Sequence, residues 1–161
     1  MNFKIEPTND FPTIREIALK TWPETYGNIL SNEQLDYMLS LFYSEENLRQ
    51  QSEKQQFILL KENNLPLGFA AYEIFPNDAS AKIHKLYVLP GNQGKGIGKN
   101  LVEYILRQAK KENLSHLSLN VNRNNPAIQF YQRLGFEIVK EEDISIGNGY
   151  LMEDFVMQLD C

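Results

Sequence analysis

The fold of this chain turns on Leu86-Tyr87-Val88-Leu89-Pro90-Gly91-Asn92-Gln93-Gly94-Lys95-Gly96-Ile97-Gly98. An apolar run ends at Leu89, and Pro90-Gly91-Asn92 break it. Glycines 94, 96 and 98 then lead into Leu101, Val102, Ile105, Leu106 and Ala109, which recur at helical spacing. A strand therefore hands over to an amphipathic helix through a glycine-rich turn. The first turn of a helix leaves backbone N–H groups unpaired and carries partial positive charge. Glycines let those groups close on an anion, and Lys95 and Lys99 add charge beside them. A pyrophosphate is the natural guest. It is not a nucleoside triphosphate of the P-loop kind, because Gly96 stands where Ser or Thr would hold magnesium. A dinucleotide fingerprint fits poorly. The turn lies past mid-chain, and the next strand, Leu117-Ser118-Leu119-Asn120, carries no acid for a ribose.

Upstream, Phe3 to Glu6 reads as a short strand. Asn9-Asp10-Phe11-Pro12 starts a helix with Ile14, Ile17 and Ala18 on its apolar face, and Pro23 is expected to end it. Trp22-Pro23-Glu24-Thr25-Tyr26-Gly27 then forms an aromatic and acidic loop. Ser31 to Gln34 has capping-box spacing ahead of Leu35, Met38, Leu39 and Phe42, and Ser44-Glu45-Glu46 begins a shorter helix through Leu48. Phe57 to Leu60, Asn63-Asn64 and Leu67 to Phe75 read as a hairpin. Ala81 to Leu89 is a strand in which Ile83, Lys85 and Tyr87 alternate against His84, Leu86 and Val88. Downstream come a strand over Leu114 to Val121, a helix from Asn125-Pro126 to Leu134 stopped by Gly135, and strands over Phe136 to Val139 and Tyr150 to Leu159. The order predicts a mixed α/β sheet with helices on its faces, in one domain over residues 1–161.

With 42% apolar and 23% charged residues, the chain has the mix of a globular protein and can bury one sizeable core. Sixteen Lys and Arg against 21 Asp and Glu give a net charge of −5 with no basic stripe, which argues against nucleic acid as a partner. The acidic balance suits small cationic substrates, although solubility alone also accounts for it. One cysteine, Cys161, and two scattered histidines, His84 and His116, give no metal framework, so no metal is expected. The N-terminus lacks a basic-then-apolar pattern, and no apolar run approaches the roughly 20 residues of a membrane helix. No membrane partner and a cytoplasmic location are expected.

The stretch Leu86–Gly98 resembles the acetyl-coenzyme-A motif of the GNAT acetyltransferases, an apolar strand ending in Val-x-Pro followed by Gln-x-x-Gly-x-Gly. A second marker of that family follows in order: a strand, then Asn124-Asn125-Pro126-Ala127, then Tyr131 and Gly135-Phe136. The resemblance covers about residues 67 to 140. It implies the GNAT fold: a central mixed, mostly antiparallel, splayed sheet of about seven strands flanked by four to five helices. It also implies acetyl-coenzyme A as acyl donor. The pantetheine arm would pair with the backbone of Leu86, Tyr87 and Val88, with an N–H of this strand, that of Val88, polarising the thioester carbonyl. The diphosphate would lie on the backbone of Gln93, Gly94, Lys95, Gly96, Ile97, Gly98 and Lys99. Asn124 and Ala127 would contact the cofactor, and Tyr131 would stand near the sulfur as general acid, core packing being the plainer role for its ring.

The base is less marked. Histone acetyltransferases of the family carry glutamate where this chain has Lys82, and a charged lysine cannot accept a proton. His84, with an ordinary pKa near 6.5, is the candidate, as in the arylalkylamine enzymes; Glu73 or a water chain are alternatives. Trp22, Glu24, Tyr26, Tyr37 and Tyr150 could hold a cationic acceptor, or could simply complete the core. The loop at 21–26 and the helix at 32–41 loosely resemble polyamine acetyltransferases. The expected function is acetyl transfer to a primary amine of a small molecule such as a polyamine, in a ternary complex. A protein N-terminus or lysine as acceptor, and a non-catalytic acyl-coenzyme-A-binding module, are the alternatives. The family allows a homodimer.

Overall fold

The strands of the described residues, 2–161 of the computed structural model, form one sheet. In chain order they are β1 (Phe3–Pro7), β2 (Gln56–Glu62), β3 (Leu65–Phe75), β4 (Ser80–Val88), β5 (His116–Asn122), β6 (Glu137–Gly147) and β7 (Tyr150–Asp160). Their lateral order is β1-β2-β3-β4-β5-β7-β6. Only β4 and β5 run parallel, and α4 (Ile97–Lys111) makes the crossover between them. The helices α1 (Phe11–Tyr26), α2 (Asn32–Tyr43) and α3 (Glu45–Gln51) cover one face. The other face holds α4 and α5 (Ala127–Arg133). The fold is the mixed, mostly antiparallel α/β sheet that the sequence predicts.

Two apolar layers explain why the Phe57–Leu60 stretch of β2 shows no polar alternation. Ile58 and Leu60 join Leu101, Val102 and Ile105 under α4. Phe57 and Leu59 join Ile14, Trp22 and Leu48 under α1–α3. A strand covered on both sides has no solvent face to mark with polar residues. The hairpin to β3 turns at Asn63 and Asn64, both with positive φ. Asp10 and Ser31 cap α1 and α2 as their sequences suggest, accepting from the N–H groups of Thr13 and Gln34.

Pro23 does not end α1. The helix runs on to Tyr26, so residues 22–26 are its last turn and not a loop. Proline denies a hydrogen bond to the carbonyl of Leu19, a residue that is itself 42% exposed. Packing offsets the loss: the Trp22 ring lies 4.7 Å from that of Tyr26 and 5.5 Å from that of Tyr43. The Gly27 N–H closes the turn on the Pro23 carbonyl at 2.9 Å.

β6 is longer than the Phe136–Val139 segment the sequence suggests. It continues through Lys140-Glu141-Glu142-Asp143 to Gly147 and turns into β7 at Asn148-Gly149. This is the outer strand of the sheet, where charge is compatible with strand structure and discourages pairing with another chain.

The alternation expected along β4 also fails. Tyr72 faces Ile83 and Ala71 faces Lys85, leaving His84 as the extra residue of a β-bulge. Ile83 therefore packs under α4, whereas Lys85 reaches the rings of Tyr43 and Phe57 on the opposite face. Beyond this point β4 also leaves β5, since their pairing covers only Ser80–Ile83 against His116–Leu119. Other elements match expectation with ends shifted by a few residues.

Gly68 sets how closely α4 sits on this region. A Cβ there would lie 2.9 Å from the Tyr87 carbonyl oxygen and 3.1 Å from Ile97 Cγ2. Gly68→Ala is expected to cost about 1–3 kcal/mol by overpacking. Chemical denaturation measures this, with unchanged stability showing that the α4 end can move freely.

Candidate active site

Where β4 and β5 part, a cavity of about 790 Å³ opens between the strand ends, α1 and the β6–β7 hairpin. Leu89 donates its N–H to the Leu67 carbonyl at 2.8 Å, on the β3 side. Successive N–H groups of a strand point to opposite edges, so those of Val88 and Leu86 point into the gap. Residues 84–88 thus present an edge without a partner strand. The walls include Trp22, Tyr26, Tyr87 and Tyr131.

At the mouth, Gly94 and Gly96 adopt positive φ values of 82° and 79°. Gly96 is the N-cap of α4, so the N–H groups that follow it are free of side-chain caps. Gly98 lies in the same first turn, where a Cβ would come within 3.1 Å of the Phe130 ring. Lys95 Nζ rests on Asn92 Oδ1 at 3.1 Å, and Lys99 reaches Glu103 only at 3.9 Å. Gln93 accepts from the Gly91 N–H and lines the cavity. This turn has the donors and charge to hold a pyrophosphate.

Tyr131 is buried against Phe130 and Phe136, with Ala127 also at the wall. Burial pushes its phenol well above the ordinary tyrosine pKa, with the Tyr26 hydroxyl adding to the effect. Tyr26 and Tyr87 share a hydrogen bond of 3.1 Å between their hydroxyls. On the bulge, His84 Nε2 lies 3.0 Å from Glu73 Oε1. Burial lowers the His84 pKa below 6.5, and the Glu73 bond opposes that only in part.

Residues 11–136 match the Acetyltransferase (GNAT) family, a span that includes both the glycine turn and the Asn124–Phe136 segment. The chain belongs to this family. The N-acetyltransferase is 29% identical over 151 residues to the spermidine N(1)-acetyltransferase of Thermoplasma acidophilum, covering 89% of this chain and 90% of that one. The crystal structure of the PaiA N-acetyltransferase of the same organism, in complex with coenzyme A, has a TM-score of 0.83 at 28% identity over 100% of both chains. A ribosomal protein bS18-alanine N-acetyltransferase of Haemophilus influenzae is 33% identical over 89 residues, 55% of this chain and 60% of that one.

In this GNAT chain Trp22, Glu24, Tyr26, His84, Leu86, Tyr87, Val88, Gln93, Ala127 and Tyr131 gather at the cavity. Tyr150 does not; it packs against Tyr37 at 5.4 Å on the hairpin. Asn124 is exposed, whereas Asn125 is buried at the wall and accepts from the Ala127 N–H at 2.9 Å, just ahead of α5. Sequence reasoning used Asn125 only as a helix opener. It passed over two buried charged residues, Lys85 and Asp154, which stand beside His84 and Glu153 and so do not stand out by composition. No helix of the described residues is long and apolar enough to cross a membrane. Among the described residues no group of His, Cys, Asp or Glu is arranged to hold a metal.

Lys85 is 8% exposed, hydrogen-bonds Gln55 Oε1 at 3.2 Å, and has its pKa lowered by burial to about 8. Between that value and the ordinary 10.5 the unfolded chain binds a proton the folded chain lacks. Stability should therefore rise with pH across this window, by up to about 2 kcal/mol between roughly pH 8 and 10. The cation–π contacts with Tyr43 and Phe57 moderate the effect. Buried tyrosines, whose pKa values are raised, act in the opposite sense above about pH 10. Urea denaturation across this range is expected to show the rise in the wild type and not in Lys85→Met.

Proposed function

We propose that this chain transfers an acetyl group from acetyl-coenzyme A to a primary amine of a small molecule such as a polyamine, by direct attack in a ternary complex. The observation that carries this reading is the unpaired edge of β4, whose N–H and C=O groups at Leu86 and Val88 face the cavity. An extended pantetheine arm would complete that edge as an added strand. The glycine turn, residues 93–99, lies one short segment further on, where the diphosphate of the same molecule would reach. The likeness to spermidine N(1)-acetyltransferase supports a polyamine acceptor.

Acetyl-coenzyme A, when bound, supplies an acyl carbon activated as a thioester. Val88 donates its N–H to the carbonyl oxygen, where negative charge grows as the amine nitrogen forms its bond to carbon. His84 takes the proton the nitrogen sheds, and Glu73 orients its ring. Tyr131 delivers its phenolic proton to the sulfur as the carbon–sulfur bond breaks. Burial raises the tyrosine pKa, so the phenol keeps its proton until negative charge develops on the sulfur beside it.

An amine panel tests the reading: polyamines, aminoglycosides, amino acids and peptides, scored by coenzyme-A thiol release. Polyamines are expected to give the highest kcat/KM. Faster turnover of peptides would favour an N-terminal or lysine acceptor, the reading supported by the bS18-alanine relative. Absence of release with every amine would leave a binding module.

Tyr131→Phe keeps the ring and removes only the hydroxyl. It is expected to lower kcat about tenfold or more, general acids contributing roughly 10²–10⁴, while acetyl-coenzyme A affinity stays within about threefold. Wild-type kcat in this variant would reduce Tyr131 to packing.

A further inference from the structure

We propose that Asp154 is the anchor for the acceptor's ammonium group, its carboxylate being set in the cavity wall by Asn120. Asp154 stands on β7, opposite Asn122 on β5 and Glu142 on β6. It is 3% exposed and lines the cavity. Asn120 Nδ2 donates to Glu142 Oε2 at 3.1 Å and to Asp154 Oδ2 at 3.4 Å, so one amide serves two carboxylates. Glu142 has a further partner in Lys140 Nζ at 2.8 Å. Asp154 has no comparable partner: Oδ1 accepts no hydrogen bond from any described residue, and no described Lys, Arg or His nitrogen lies within 4.0 Å of its carboxylate.

The nearby cations do not fill that role. Arg123 donates from Nε to the Asp154 backbone carbonyl at 3.3 Å and from NH2 to the Glu142 carbonyl and the Asp143 carboxylate. Lys82 on β4 acts on Asp154 only at a distance. A buried carboxylate without an ion partner is costly, and a cation entering the cavity would relieve that cost. The aromatic rings of Trp22 and Tyr26 across the cavity favour the same guest. The groups facing Asp154 are Lys82 of β4, Asn120 and Arg123 of β5, Glu142 of β6 and Tyr26 of α1. Burial outweighs the rest and raises the Asp154 pKa above the ordinary 3.8.

This assignment rests on the reading that the acceptor is an amine, so binding and turnover are measured separately. Spermidine is titrated calorimetrically into the coenzyme A complex of the wild type and of Asp154→Asn. Spermidine affinity is expected to fall about tenfold or more, coenzyme A affinity staying within about threefold. In turnover, KM for spermidine should rise by a similar factor with kcat nearly preserved. Wild-type binding should weaken as pH falls through the titration of Asp154, and that dependence should vanish in the variant. Asp154→Ser repeats the comparison should the asparagine variant fail to fold. Equal affinities, or a fall in kcat at constant KM, would overturn the anchor; the latter would make Asp154 a proton acceptor. Wild-type binding of neither spermidine nor butylamine would overturn it too. Spermidine binding without thiol release would instead defeat the transferase reading and leave Asp154 to be judged by affinity alone.

Discussion

β4 and β5 hydrogen-bond over only four residue pairs, and the rest of the molecule follows from their separation. A parallel pair continued to full length would satisfy every backbone group of β4 and close the sheet. Parting at Ile83 and Leu119 leaves polar backbone facing a gap, which a protein interior tolerates only if the gap is wet or receives a ligand. The bulge at His84 begins at the same place. It turns two successive side chains, His84 and Lys85, toward the α1–α3 face, so the backbone irregularity also puts ionisable groups at the cavity. The α4 crossover enters from below and brings the first turn of its helix to the mouth of the gap.

The electrostatics of the cavity are divided by strand. β4 contributes Lys82, His84 and Lys85, and β7 contributes Asp154, behind which Glu142 shares the Asn120 amide. Burial pushes His84, Lys85 and Asp154 toward neutrality, lowering the first two and raising the third, whereas the Lys140 ammonium holds Glu142 below its ordinary value. The tyrosines between them, Tyr26, Tyr87 and Tyr131, are driven the same way and hold their protons. The cavity is thus poorly solvating for charge, and a hydrogen bond inside it is worth more than at the surface.

The glycine turn and α4 were legible in the sequence because each is encoded locally: glycine for positive φ, and a 3.6-residue apolar period for one buried face. Tyr131 was singled out only by the resemblance of the second motif to the family's, since its apolar surroundings alone read as core. What escaped was set by neighbours distant in sequence. Nothing near His84 announces a bulge, which arises from register between β3 and β4, so Lys85 appeared on the wrong face. Pro23 is a sound helix stop in isolation, and the tilted and edge-on packing of Trp22 against Tyr26 and Tyr43 is a tertiary contact that its neighbours in sequence do not announce. The charged run in β6 mimics a loop because an outer strand needs no apolar pattern. Asp154 stood beside Glu153 as one of several polar residues of its strand, and its significance depends on Asn120 and the gap beside it.

Across the cavity, α2 is fastened to the β6–β7 hairpin. Tyr37 donates its hydroxyl to the Ile146 carbonyl at 2.7 Å, and Gln34 Nε2 donates to the Leu151 carbonyl at 3.2 Å. These contacts join residues 109 and 117 positions apart. Long-range closures of this kind form late, because the loop entropy is lost before the contacts repay it. During synthesis on the ribosome, the glycine turn and α4 emerge well before β6 and β7. The fastening of α2, and with it the far wall of the cavity, therefore cannot form until the hairpin has been translated, and the α4 layer also waits for Met157 of β7 to complete its core.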